Sequence, residues 1–61
     1  MTVDQFTSNL NCDIYIEIYQ DTDMIFKGTI REFQEYYYTL GQREIYTDPY
    51  KITASLYRIM I

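Results

Sequence analysis

The sequence predicts a small α+β domain with the element order helix, strand, strand, helix, strand, strand, and with an antiparallel sheet covered by one main helix. Three observations support this prediction. The chain has only 61 residues, one segment alternates strictly between apolar and polar residues, and two capping boxes mark helix starts. A chain of this length buries about 60% of its unfolded surface, so residues 1–61 are expected to form a single domain.

A short first helix is expected directly after Thr2. Thr2 and Gln5 have the spacing of a capping box, in which each side chain bonds the backbone N–H of the other residue. Apolar residues then recur at helical spacing, at Val3, Phe6 and Leu10.

The first strand is expected within DIYIEIYQ, residues 13–20. Its two faces are Ile14, Ile16 and Ile18 on one side, and Tyr15, Glu17 and Tyr19 on the other. The polar QDTD, residues 20–23, predicts a turn. MIFK, residues 24–27, is then the return strand of a hairpin, and we expect Gly28 to end it.

The main helix is expected over residues 29–40. Thr29 and Glu32 repeat the capping-box spacing. The apolar stripe that follows consists of Ile30, Phe33, Tyr37 and Leu40, and Gly41 is expected to end the helix. Tyr36 and Tyr38 flank this stripe on opposite sides, so at least one of them is expected to face solvent or a partner.

Residues 43–61 are expected to form strands, with a turn at Asp48 and Pro49. Ile52, Ala54 and Leu56 share one face, whereas Ile59 and Ile61 lie on the other. This change of parity indicates either a bulge near Tyr57 and Arg58 or a second tight turn there.

Composition excludes several classes of protein. Cys12 is the only cysteine and there is no histidine, so we expect neither an internal disulfide nor a zinc site, and no cofactor. The net charge of −4 opposes direct nucleic-acid binding, although Tyr15 and Tyr19 are of the type on which single-stranded bases stack. Without a signal-like start or an apolar run of about 20 residues, the protein is expected to be cytoplasmic and not bound to membranes.

Catalysis is not expected. Asp21 and Asp23, with Asp13 and Glu17, offer oxygen ligands to a cation, but calcium loops need more oxygen ligands and a characteristic glycine, so a hairpin turn is the simpler interpretation. Cys12 has no histidine to activate it as a nucleophile, and packing at a junction between elements accounts for it.

Exposed tyrosines are the strongest functional signal, because tyrosine is enriched at protein interfaces and among their hot spots. The chain has eight. The predicted partner-binding residues are Tyr15, Tyr19, Tyr36 and Tyr38, with Glu17, Glu32 and Glu35 as an acidic rim. Two alternatives stay open: the rings cover a thin core, or they form the contact of a homodimer.

The segment IFKGTIREF, residues 25–33, resembles short proteins carried by phages and other mobile elements of Gram-positive bacteria. The resemblance implies a small accessory protein that binds a host protein, and anti-CRISPR proteins are one such class. The implied partner is a CRISPR nuclease or another basic nucleic-acid-binding protein. The nine acidic residues are scattered rather than massed, so occlusion of a basic surface is favoured over imitation of DNA. The competing hypothesis is a structural or regulatory homo-oligomer with no foreign partner.

Overall fold

The computed structural model describes residues 1–61 in full and confirms the α+β class and the order of the elements. The helices are α1 (Val3–Thr7) and α2 (Ile30–Tyr36), and a 3₁₀ segment (Tyr38–Gln42) follows α2. The strands are β1 (Tyr15–Gln20), β2 (Asp23–Thr29), β3 (Tyr50–Thr53) and β4 (Leu56–Met60). They form one sheet in the order β2-β1-β4-β3.

The sheet is mixed, which corrects the prediction of an antiparallel sheet. Each hairpin, β1–β2 and β3–β4, is antiparallel, but the central pair β1–β4 is parallel. The physical reason is burial. β4 contains the fully buried Ile59 and takes the central position beside β1, whereas all residues of β3 are exposed and it forms an edge. Residue periodicity reports such burial but not strand direction.

The core lies between one face of the sheet and the helices. Its fully or nearly fully buried apolar residues are Val3, Ile16, Ile18, Phe26, Ile30, Phe33 and Ile59. The rings of Phe26 and Phe33 meet edge to face with centroids 5.8 Å apart, and Phe6 of α1 meets Tyr57 of β4 in the same way at 5.4 Å. The predicted division of β1 into an isoleucine face and a tyrosine face is therefore confirmed.

Both predicted capping boxes are present. The Gln5 backbone N–H donates to Thr2 Oγ1 (3.2 Å), and the Thr2 backbone N–H donates to Gln5 Oε1 (2.9 Å). At α2 the Glu32 backbone N–H donates to Thr29 Oγ1, and the Thr29 backbone N–H donates to Glu32 Oε1, both at 3.1 Å. These bonds satisfy donors that the first helical turn leaves free, so they fix where each helix begins.

The helix α2 is shorter than the predicted 29–40, because it ends at Tyr36. Tyr37 leaves helical geometry (φ −128°, ψ 25°), and the chain tightens into the 3₁₀ segment. Gly41 does not end α2. It is buried inside the 3₁₀ segment, where a Cβ atom would overlap the carboxylate of Asp4 in α1. The role of Gly41 is thus to allow α1 and the 3₁₀ segment to approach each other closely.

Gly28 lies inside β2, opposite Ile16, and does not end the strand as predicted. A Cβ atom there would lie 3.0 Å from the Phe26 ring and 3.2 Å from Glu32 Oε1. Glycine at this position therefore allows the N-terminus of α2 to pack closely against β2.

The second hairpin turns at residues 54–55, and not at Asp48 and Pro49 as predicted. No bulge or turn lies at Tyr57 and Arg58, where one was predicted: Leu56 and Ile59 both belong to β4, which pairs regularly with β1, so they face opposite sides of one strand. The irregularity of the second hairpin lies between Lys51 and Thr53. Residues 43–49 form no strand. They are held by an isolated bridge between Thr2 and Glu44 and by a hydrogen bond that the Tyr46 N–H donates to the Met60 carbonyl (2.7 Å).

Candidate protein-interaction surfaces

One face of the sheet carries no helix, and we call it the open face. Strand register places the same side of all four strands on it. Its residues are Tyr15, Glu17, Tyr19, Met24, Lys27, Thr29, Tyr50, Thr53, Leu56, Arg58 and Met60. All of them except Glu17 are exposed or half-buried. The open face is thus an aromatic and apolar surface that the fold leaves in contact with water.

Glu17 lies at the centre of the open face. Lys27 of β2 and Arg58 of β4 are its direct neighbours across the strands. Arg58 Nε donates to Glu17 Oε1 (3.1 Å), and Lys27 Nζ lies 3.6 Å from Glu17 Oε2. Only 9% of the Glu17 side chain is exposed, against 43% for Arg58 and 55% for Lys27. Glu17 is therefore a neutralised structural group, and it does not extend into solvent as a rim residue.

The aromatic rings of the open face are held to different degrees. The Arg58 guanidinium lies 5.1 Å from the centre of the Tyr19 ring, in cation–π geometry, and Tyr19 is half-buried. Tyr15 and Tyr50 are freer, with 48% and 67% of their surface exposed. Two bases and one acid give the face a charge of +1 in a chain of net charge −4, so the open face does not attract cations.

A second surface lies where β1 ends and β2 begins. Gln20 pairs with Asp23, so the loop between the strands is only Asp21 and Thr22. Asp21 has φ 58° and is the only non-glycine residue with a positive φ. A positive φ at the first of two loop residues is typical of a type II′ turn, where glycine is preferred. The turn therefore holds an aspartate in a conformation that costs it backbone energy.

Two clefts follow this turn, one along β2 and one between Asp21 and the end of β4. The first, of about 280 Å³, is lined by Met24, Ile25, Phe26, Lys27 and Tyr37. The second, of about 330 Å³, is lined by Asp21, Tyr46, Met60 and Ile61. Because the parallel strands β1 and β4 end on the same side, the Ile61 N–H donates to the Tyr19 carbonyl (2.8 Å) and closes the sheet there. We call residues 20–23 together with both clefts the hairpin end.

The acids of the hairpin end have no cationic partner. The ion pairs of the structure join Met1 to Glu44, Arg31 to Asp13, and both Lys27 and Arg58 to Glu17. Asp21 and Asp23 take part in none of them, and both are exposed. By contrast, Asp13 at the other end of β1 accepts a hydrogen bond from Arg31 (2.9 Å), and this bond is the main cause of a raised pKa of Arg31.

The seven predicted partner-binding residues do not form one surface. Tyr15, Glu17 and Tyr19 lie on the open face, whereas Glu32, Glu35, Tyr36 and Tyr38 belong to the layer that covers the opposite face. Glu32 is engaged as the cap of α2. Both Tyr36 and Tyr38 face solvent, at 70% and 67% exposed. Tyr37, expected within the buried stripe, is 42% exposed and packs its ring 4.8 Å from that of Phe26.

Several residues of these surfaces were not singled out from the sequence. Tyr46 is 83% exposed, the most of any large apolar side chain, and reaches the hairpin end only because residues 43–49 return beside Met60. Tyr50 lies on the open face because β3 pairs with β4. A turn at Asp48 and Pro49, as predicted, would have given these residues a different pairing. These residues can be identified only from strand register, and the register of a hairpin depends on where its turn lies.

No group of three or more histidine, cysteine, aspartate or glutamate side chains is arranged to hold a metal ion. Cys12 is half-buried and packs against the core. No helix is both long enough and apolar enough to cross a membrane. Comparisons with protein-family models, with curated proteins and with solved structures find no match to this chain. The two surfaces themselves therefore carry the functional proposal.

Proposed function

We propose that this protein is a small protein-binding module whose hairpin end binds a basic surface of a protein partner. The observation that supports this most is that Asp21 and Asp23 are exposed and form no ion pair, and that they lie next to two clefts lined mainly by apolar and aromatic residues. In its specific form, the proposal is a phage or mobile-element inhibitor that occludes a nucleic-acid-handling protein of the host, such as a CRISPR nuclease. That context comes from the resemblance of residues 25–33.

The two kinds of group at the hairpin end have complementary tasks. Free carboxylates steer an approaching basic surface and pair with its arginine or lysine side chains. Tyr46 and Met60 on one side, and Met24 and Tyr37 on the other, provide apolar area against which the stems of those side chains pack. The arginines and lysines that bind nucleic-acid phosphates are then covered, so one bound copy blocks one nucleic-acid site.

The open face favours a second candidate function, a homo-oligomer without a foreign partner. Its exposed Tyr15 and Tyr50 and its internally paired charges suit contact with a second copy better than attraction of a basic protein. The hairpin end is our first proposal, because its carboxylates are free to pair with a basic partner, whereas the charges of the open face are paired with one another.

The test starts with capture on the immobilised protein from the lysate of a Gram-positive bacterium, at low and at high salt. A captured nucleic-acid-binding protein is then purified, and its Kd for this protein is measured with and without competing nucleic acid. The double variant Asp21→Asn/Asp23→Asn is expected to weaken Kd about tenfold, because each lost rim charge contributes up to about 1 kcal/mol. Asparagine also tolerates the positive φ of Asp21, so the turn is retained.

Asp13→Asn is the control, because it removes a carboxylate that is already paired with Arg31 at the opposite end of β1, and it is expected to leave Kd unchanged. Equal Kd values for the double variant and the parent protein would contradict the proposal, as would binding that nucleic acid does not compete with. A salt-resistant dimer in sedimentation equilibrium, dissociated by Tyr15→Ser/Tyr50→Ser, would instead support the second candidate.

A further inference from the structure

The outer edge of β2 has no backbone partner. β2 is the first strand of the sheet order, so only its inner edge pairs, with β1. Outside that ladder, no backbone or side-chain hydrogen bond involves residues 23–28. An unpaired strand edge is a template for a further strand.

The two edges of the sheet differ in their suitability for strand addition. β3 is only four residues long and follows Pro49, which cannot donate a backbone hydrogen bond. β2 is seven residues long, and the cleft lined by Met24, Ile25, Phe26 and Tyr37 runs beside it. The edge of β2 therefore offers both unpaired backbone groups and an adjacent cleft lined mainly by apolar and aromatic residues.

The charge beside this edge is negative. Asp23 lies at the beginning of β2, and the Glu32 carboxylate lies against Gly28 near its end. The one base in the cleft, Lys27, lies 3.6 Å from Glu17, which it shares with Arg58, so the two acids and one base beside this edge carry a net charge of −1. Basic residues of an added strand would be attracted by the carboxylates at both ends of β2.

We propose that the edge of β2 accepts an extended segment of the partner, in which apolar and basic residues alternate, as a fifth strand of the sheet. This inference rests on the proposed function for the existence of a basic protein partner. Charge disfavours a second copy as the occupant. Pairing of β2 with another β2 places Asp23 close to Glu32 of the other copy if the strands run antiparallel, or to its Asp23 if they run parallel.

The probe is a synthetic seven-residue peptide, blocked at both ends, that alternates lysine with valine. It is titrated into the ¹⁵N-labelled protein, and amide shifts and hydrogen exchange are followed by NMR. Amides of residues 23–28 are expected to shift and to exchange more slowly, whereas those of residues 50–53 are not. Absence of any change in residues 23–28 up to the solubility limit of the peptide would overturn the proposal.

Two control peptides separate strand addition from simple charge attraction. The first is methylated on alternate backbone nitrogens, so it keeps its charge but loses hydrogen-bond donors. The second has glutamate in place of lysine. Each is expected to bind at least about tenfold more weakly, a loss of about 1.4 kcal/mol. Equal binding of the methylated peptide would overturn strand addition, and equal binding of the glutamate peptide would overturn the basic character of the segment.

Met24→Lys places a cation in the cleft without touching the core, since Met24 is 49% exposed. It is expected to weaken binding of the lysine–valine peptide about tenfold, because the new lysine repels those of the peptide. Ala54→Lys adds the same charge in the β3–β4 turn and is expected to have no effect. Equal peptide affinity in Met24→Lys and Ala54→Lys would contradict the inference. Protection of β2 that rises with protein concentration in the absence of peptide would show self-pairing and overturn it as well.

Failure of this inference and failure of the proposed function give different results. If the peptide binds β2 but Asp21→Asn/Asp23→Asn leaves Kd for the captured protein unchanged, the proposed function fails and the edge site stands. If that double variant weakens partner binding but the peptide leaves β2 unaltered, the inference fails alone.

Discussion

The open face and the hairpin end contain the same types of residue, tyrosines beside carboxylates, yet their carboxylates are in opposite states. Glu17 on the open face is almost fully buried between Lys27 and Arg58. Asp21 and Asp23 at the hairpin end are exposed and have no ion-pair partner. The availability of an acid for a partner is therefore determined by its neighbours across the strands, and not by its place in the sequence.

The physical cause of the difference is position in the sheet. A residue in the middle of a central strand has neighbours on both sides, so a buried charge there must be compensated within the protein. A residue in a two-residue turn has no strand on either side, so water solvates its charge. The first arrangement supports the fold, and the second leaves charge free for binding.

The largest expected effect separates these two roles through stability. Glu17→Gln leaves Arg58 and Lys27 facing each other without the carboxylate. The free energy of unfolding is expected to fall by about 2 kcal/mol, less than for a fully buried pair because both cations are half-exposed. Urea denaturation provides the measurement. Glu35→Gln is the control, because Glu35 is exposed and forms no ion pair. If Glu17→Gln lowers the free energy of unfolding no more than the control does, Glu17 has no structural role that separates the open face from the hairpin end.

A smaller effect is expected for the ring beneath Arg58. Tyr19→Leu keeps an apolar side chain but removes the cation–π contact, and it is expected to cost about 1 kcal/mol of unfolding free energy. Tyr50→Leu, which changes a ring of the same face without such a contact, serves as the control and is expected to have less effect. If the two variants unfold at the same urea concentration, the guanidinium does not hold Tyr19 in place.

At the hairpin end, Asp21→Gly is expected to raise stability by about 0.5 kcal/mol, because glycine adopts a positive φ without the cost that an L residue bears. Thermal unfolding of Asp21→Gly and Asp21→Asn gives the comparison, since both variants remove the charge and only glycine removes the steric cost. A destabilised Asp21→Gly would show that the carboxylate stabilises the turn and is not kept for binding.

The smallest expected effect is the stability of the double variant Asp21→Asn/Asp23→Asn. Its unfolding free energy is expected to match that of the parent protein within about 0.5 kcal/mol, as for most surface substitutions. A larger loss would mean that the hairpin end uses its charges for folding, as the open face does. The contrast between the two regions would then disappear.

Local features of the fold were predictable because a few adjacent residues determine them. Residue spacing predicts the helix starts at Thr2 and Thr29 and the two faces of β1, local polar composition predicts the turn at residues 20–23, and the structure has each of them. Capping boxes and strict alternation act within five or six residues, so no distant contact needs to be known.

Features that depend on distant contacts could not be predicted in this way. The pairing of β1 with β4 and the burial of Gly41 against Asp4 join residues far apart in the sequence. The candidate site shows the same limit. Glu17 was predicted as a rim acid because its neighbours Lys27 and Arg58 cannot be identified without strand register. Tyr15 and Tyr19 were placed correctly on one face, but their separation from Tyr36 and Tyr38 depends on which face α2 covers.

The parallel pairing of β1 with β4 also determines when the fold can close. The hydrogen bond between Glu17 and Arg58 spans 41 residues, whereas the β1–β2 hairpin and α2 are local and can form early. Closing so long a loop costs chain entropy before any contact is gained, which slows folding. Until β4 arrives, Ile16 and Ile18 lie on a strand with an open edge, as in an aggregation-prone intermediate. Docking of the second hairpin is therefore the step at which this chain is most exposed to misassembly.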